Sequence, residues 1–159
     1  MKFIRAVSKA VDGIVLALSS GRNIRIQLAF VFYVTAAGVV TRCSAWEWAV
    51  LLLCFGAVIF GELLNSAIER LSDEVNDRFS TNIRDAKDMA AGAVLVAAVV
   101  SCAAGGIIFF NREKVGRLFE FARGNAGVAA ALALAVVPFA IWVGGADKDK
   151  KDKEEKRWR

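Results

Sequence analysis

Seven of the 16 acidic residues in the chain fall within Glu62–Asp88, where they meet only four basic ones. Their spacing suggests chemistry. At about 100° per residue, Glu62, Asn65, Ser66, Glu69 and Asp73 share one stripe roughly 100° wide on a helix. Leu64, Ile68 and Leu71 occupy the other side. A carboxylate partly withdrawn from water is suited to accept a proton from an alcohol. Carboxylates also hold Mg²⁺ through one or two oxygens while nucleotide phosphates supply others. Lys87, beside Asp88, offers a cation for phosphate oxygens. A base, a metal ligand and a charge clamp together suit phosphoryl transfer, in which positioning and electrostatics do most of the catalysis. Proton-coupled transport uses membrane carboxylates too, so these residues alone leave both readings open.

The elements that must hold this stripe are apolar. The 159 residues are 57% hydrophobic, with a mean hydropathy of +0.47, above the range of a soluble domain. Four stretches carry no formal charge: Ile26–Thr41, Trp48–Gly61, Met89–Asn111 and Gly124–Ala146. The last two have 23 residues each, enough for the roughly 20 that a bilayer-spanning helix needs. The first two are shorter but are joined only by Arg42–Glu47, as in a transmembrane hairpin. For the second to span, it must run on through Glu62 and Asn65, which brings a carboxylate and an amide to membrane depth, where such groups are costly and usually functional. Trp46, Trp48 and Trp142 mark span ends.

The predicted architecture is an all-α integral membrane protein. An amphipathic surface helix covers 2–18, with Phe3, Ile4, Val7, Val11, Ile14, Val15 and Leu18 on its apolar side. Spans follow at about 26–41, 46–70 and 88–110, and 124–146 is expected to form a fourth. Between them, 111–125 reads as a loop or as an interfacial helix using Val115, Leu118, Phe119 and Phe121. Residues 147–159 mix both charge signs without periodicity, the pattern of a disordered tether. With four spans, sixteen basic residues fall on the side of both termini and the central loop, against five on the other. That bias places both termini and the central loop in the cytoplasm.

Several function classes are excluded or weakened. The chain has no histidine, so Ser-His-Asp and Cys-His catalysis, His-ligated zinc and histidine proton shuttles are all ruled out. Cys43, Cys54 and Cys102 show no C-x-x-C spacing and read as small packing residues. Arg5, Lys9 and Asp12 interrupt the apolar centre that a cleavable signal peptide requires.

Glu62-Leu-Leu-Asn65-Ser66-Ala-Ile-Glu69-Arg-Leu-Ser-Asp73, followed by Asp85-Ala-Lys87-Asp88, resembles the signature of the prokaryotic diacylglycerol kinase family, which includes the undecaprenol kinases. The resemblance runs from the N-terminal helix to about Phe110, and 124–146 lies beyond the family's three-span core. It implies a small homotrimeric kinase of the bacterial inner membrane, moving the γ-phosphate of MgATP to a lipid hydroxyl at the cytoplasmic face. No nucleic-acid partner is implied. Diacylglycerol, giving phosphatidic acid, is the first expectation for the substrate and undecaprenol the alternative. By the same resemblance, Glu62 matches the catalytic base and Glu69 the metal-binding carboxylate. Asn65, Lys87 and Asp88 match nucleotide-organising positions, while Ser66 and Asp73 are further candidate contacts for substrate or phosphate. Arg22-Asn23-Ile-Arg25-Ile-Gln27 is similar to a stretch of the undecaprenol kinase branch, with Arg25 its candidate phosphate or interfacial contact. One departure stands out: the family usually has a glutamate where this chain has Gly21, which implies a weaker Mg²⁺ site. That departure also keeps open a catalytically weakened structural or regulatory relative.

Overall fold

The computed structural model describes residues 2–75 and 80–145, and among them every element is a helix. The tether expected over 147–159 lies outside the described residues. Helix α1 (Lys2–Ser20) and helix α2 (Arg22–Val40) meet at Gly21. The junction is tight. A Cβ at Gly21 would lie 2.9 Å from the Ala17 carbonyl oxygen, which already accepts the Gly21 N–H at 2.8 Å, and 3.1 Å from Ile24 Cγ2.

The other end of α2 closes in a Schellman motif. Arg42 adopts a φ of 54°, and the Cys43 and Arg42 N–H groups donate back to Gly38 and Val39. Helix α3 (Ala45–Val75) then starts with a capping box, in which Glu47 accepts from the Ser44 N–H at 2.7 Å and Ser44 Oγ accepts from the Glu47 N–H. Gly38 leaves room for the Trp48 ring, whose nearest atom would be 2.9 Å from an added Cβ. The α2–α3 hairpin is thus closed by its caps and by one aromatic side chain lying against a glycine.

Helix α3 has 31 residues, a length of about 46 Å at 1.5 Å per residue. That exceeds the roughly 30 Å hydrocarbon core of a bilayer, so the end carrying Glu69 and Asp73 reaches beyond it. Helix α4 (Thr81–Phe109) returns along α3 in the most extensive helix pairing of the fold. It begins at Thr81, earlier than the span expected from 88, so Lys87 and Asp88 sit inside the helix on its second turn.

Residues 112–124 form helix α5 (Arg112–Gly124), capped by Asn111 accepting from the Lys114 N–H at 2.9 Å. Two of its cations, Lys114 and Arg117, are engaged. Lys114 is buried, pairs with Glu47 and also donates to Cys43 Sγ at 3.4 Å. Burial acts to lower the Lys114 pKa, but the bonds to Glu47 and Cys43 outweigh it and hold the ammonium above its ordinary 10.5. Arg117 donates to the Thr41 carbonyl at 2.7 Å and pairs with Glu113. These contacts hold α5 against the α2–α3 hairpin. Helix α6 (Ala126–Leu134) breaks at Ala135 and helix resumes over 136–145, a break that fits Pro138, which cannot donate to the preceding turn.

Four helices are long and apolar enough to cross a membrane: Arg22–Val40, Ala45–Val75, Thr81–Phe109 and Ala126–Gly145. Their surfaces suit lipid. Among the described residues the buried apolar side chains are Ala17, Ile24, Leu51 and Ile108, whereas Phe30, Leu53, Phe60, Leu64, Val96 and Ile107 all face outward. Backbone groups are satisfied within each helix, as hydrocarbon demands.

Candidate active site

The inward side of α3 is polar where a soluble helix would be apolar. Glu62 and Asn65 are 3% and 4% exposed, Ser72 is buried and Ser66 half-buried, while Leu64 and Leu71 face outward. An ionised carboxylate this enclosed needs donors, and α2 provides them. Gln27 Nε2 donates to Glu62 Oε2 at 3.4 Å, and the Asn23 side chain also hydrogen-bonds the carboxylate. Asn23 and Gln27 are one helical turn apart, so both reach α3 from one face of α2.

Further along α3, Asn65 Nδ2 donates to Glu69 Oε1 at 3.1 Å. Glu69 lies close enough to Glu62 to repel its charge and close enough to Lys87 to attract it. Lys87, reaching across from α4, bonds Asp73 Oδ1 at 2.8 Å. The structure therefore brings Glu62, Asn65, Glu69, Asp73 and Lys87 into one seam between α2, α3 and α4. Two buried oxygens in or beside it, Asn65 Oδ1 and Gln27 Oε1, have no hydrogen-bond partner. Such groups are uncommon in native proteins and are places where a water, an ion or a ligand can bind.

Two candidates lie elsewhere. Asp88 is exposed, and its contact is with Arg84 on its own helix at 3.9 Å. Arg25 is buried on another face of α2, where its guanidinium donates to the carbonyls of Leu18, Ser19 and Trp142. Three of its five N–H donors are thus committed to the protein backbone. Asn23, Gln27 and Ser72 join the candidate residues only through the fold. The four-residue spacing of Asn23 and Gln27 was visible, but that α2 turns this face to Glu62 is a tertiary fact.

The oxygen donors present suit Mg²⁺. Glu69 provides a carboxylate, with the unpartnered Asn65 Oδ1 one turn away on the same helix. Among the described residues no group of three or more acidic or cysteine side chains converges.

Fold and site together define a multi-pass helical membrane protein with a carboxylate-lined seam along its longest helix. Comparison with known proteins gives the family. The model described as prokaryotic diacylglycerol kinase matches residues 8–109, and the chain belongs to that family. Among similar proteins is an undecaprenol kinase of Bacillus subtilis, 36% identical over 111 residues that cover 70% of this chain and 90% of the relative. A diacylglycerol kinase of Synechocystis sp. is 36% identical over 97 residues, 60% of this chain and 55% of the relative. No solved structure matches the chain.

Proposed function

We propose that this protein is an ATP-dependent lipid kinase that transfers the γ-phosphate of MgATP to the hydroxyl of a membrane lipid alcohol. The observation that carries this reading is the buried Glu62 carboxylate, held by Asn23 and Gln27 beside a second carboxylate, Glu69, and a bridging lysine, Lys87. Glu62 accepts the hydroxyl proton as the alcohol oxygen bonds to the γ-phosphorus and the bond to the β-phosphate oxygen breaks, leaving ADP. Lys87, turned from Asp73, meets the phosphate oxygens. Glu69 and Asn65 would hold Mg²⁺, which supplies charge neutralisation on the phosphates when bound. Family membership and the four span-length helices support a membrane lipid as acceptor.

Diacylglycerol and undecaprenol stand equally as acceptors, since relatives of both names match. A homotrimer in the inner membrane, with the seam facing the cytoplasm, completes the proposal. Phosphorylation of the two lipids side by side in mixed micelles by the full chain with radiolabelled ATP tests it. Labelled lipid from either alcohol supports a lipid kinase and identifies the acceptor. No label from either refutes it and favours a structural or regulatory relative.

A further inference from the structure

The family match ends at residue 109, yet the chain continues into a fourth span, Ala126–Gly145. That span is fastened to the kinase core at a built site. Arg25, 8% exposed, sends Nη1 to the Trp142 carbonyl at 2.7 Å, Nη2 to the Ser19 carbonyl at 2.8 Å and Nε to the Leu18 carbonyl at 2.9 Å. Its guanidinium also lies 5.2 Å from the Trp142 ring centroid. One side chain thus joins a carbonyl of the fourth span to carbonyls at the end of α1, where helix carbonyls lack intrahelical donors and carry partial negative charge. Deeper in the membrane, Tyr33 donates its hydroxyl to the Leu132 carbonyl at 3.1 Å and Phe139 packs against Phe32 and Tyr33.

On α2, Arg25 lies about 200° around the helix from Asn23, whereas Gln27 lies only about 40° from it. The side of α2 bearing Arg25 and Tyr33 meets the fourth span, and the side bearing Asn23 and Gln27 holds Glu62. A rigid helix gripped on one side and presenting donors on the other transmits placement directly. We infer that Arg25 is a positioning residue, and that the fourth span, through its clasp on Arg25, holds the first turns of α2 so that Asn23 and Gln27 orient the Glu62 carboxylate. The inference rests on the lipid-kinase reading of that site. It gives the fourth span a role in turnover and assigns Arg25 a task other than phosphate contact.

The test uses the full chain in lipid nanodiscs with three variants: Arg25→Lys, Trp142→Ala and the double variant. Arg25→Lys keeps the charge but cannot reach three carbonyls at once, and Trp142→Ala removes the stacked ring while leaving its carbonyl. Two readouts are taken. Hydrogen exchange at 22–28 and 136–145 reports the clasp without reference to activity, and steady-state kinetics report turnover. Both single variants are expected to raise exchange in both segments and lower kcat by about 10- to 100-fold, the scale of a misplaced reacting group. KM for MgATP should stay near the wild-type value, and the double variant should be no worse than the poorer single one. A raised KM for MgATP in Arg25→Lys with unchanged exchange would make Arg25 a phosphate ligand and overturn the inference. Raised exchange with undiminished kcat, or multiplying losses in the double variant, would also overturn it. A wild-type chain without lipid phosphorylation would fail the kinase reading itself, while the exchange data would still show whether the clasp exists.

Discussion

Replacing Gln27 with leucine separates activity from stability in a way the geometry fixes in advance. The side chain has one used end and one unused end: Nε2 donates to Glu62 at 3.4 Å, and Oε1 is buried without a partner. A hydrogen bond to a charged group contributes about 1.5–3 kcal/mol, and the long distance argues for the low end. Losing about 1.5 kcal/mol from the orientation of the reacting base corresponds to roughly tenfold in rate. Stability does not fall in step, because the bond lost to Glu62 is offset by the removal of an unsatisfied buried carbonyl whose desolvation costs about 1–3 kcal/mol. Gln27→Leu should therefore turn over about tenfold more slowly while its detergent-solubilised thermal midpoint holds or rises. The assay pairs lipid phosphorylation at saturating MgATP with a thermal unfolding scan on the same preparation. Unchanged kcat would refute the idea that Gln27 orients Glu62. A Tm that falls together with activity would show that Gln27 is a packing residue.

Further outcomes follow from single contacts. Lys87→Ala removes both the partner of Asp73 and a cation that attracts Glu69, and is expected to reduce kcat/KM for MgATP by about 100-fold or more, measured as initial rates over an ATP series. Gly21→Ala forces a methyl group against the Ala17 carbonyl oxygen and should cost about 1–3 kcal/mol, read as a lowered Tm. It is the steric control for Gly21→Glu, whose Mg²⁺ dependence tests the weaker metal site implied by the missing glutamate. Lys114 has its folded pKa raised above 10.5, so its contribution is fully present below that pH and lost as pH rises through the folded value. Lys114→Met should accordingly lower Tm by the same amount at pH 6 and pH 9, and a loss confined to one pH would contradict the pairing with Glu47.

What was legible in the sequence followed from patterns that need no tertiary contact. Periodicity marked α1, charge-free runs marked the spans, and the i, i+3, i+4 spacing from Glu62 to Asp73 marked a polar stripe. Boundaries moved where local chemistry overrode hydropathy. Helix α4 starts at Thr81 because Asn82, Arg84, Asp85 and Lys87 lie on helix turns outside the apolar run. Helix α5 forms because Asn111 caps it and Glu47 and Thr41 take up Lys114 and Arg117. The donors of Glu62 are not legible in the sequence, because Asn23 and Gln27 gain meaning only when α2 turns that face to α3. Arg25 drew attention as a cation beside a membrane, but its three carbonyl partners come from α1 and from a span 117 residues away in sequence, which no local pattern announces.

The central claim is that Glu62 takes the proton from a lipid hydroxyl. Its most direct test is transfer of label from radiolabelled ATP to the acceptor lipid by wild type and Glu62→Gln, both shown to be folded by their unfolding transitions. A kcat reduced by about 10²- to 10⁴-fold, with KM for MgATP retained, is the predicted result. Undiminished transfer by Glu62→Gln would contradict it.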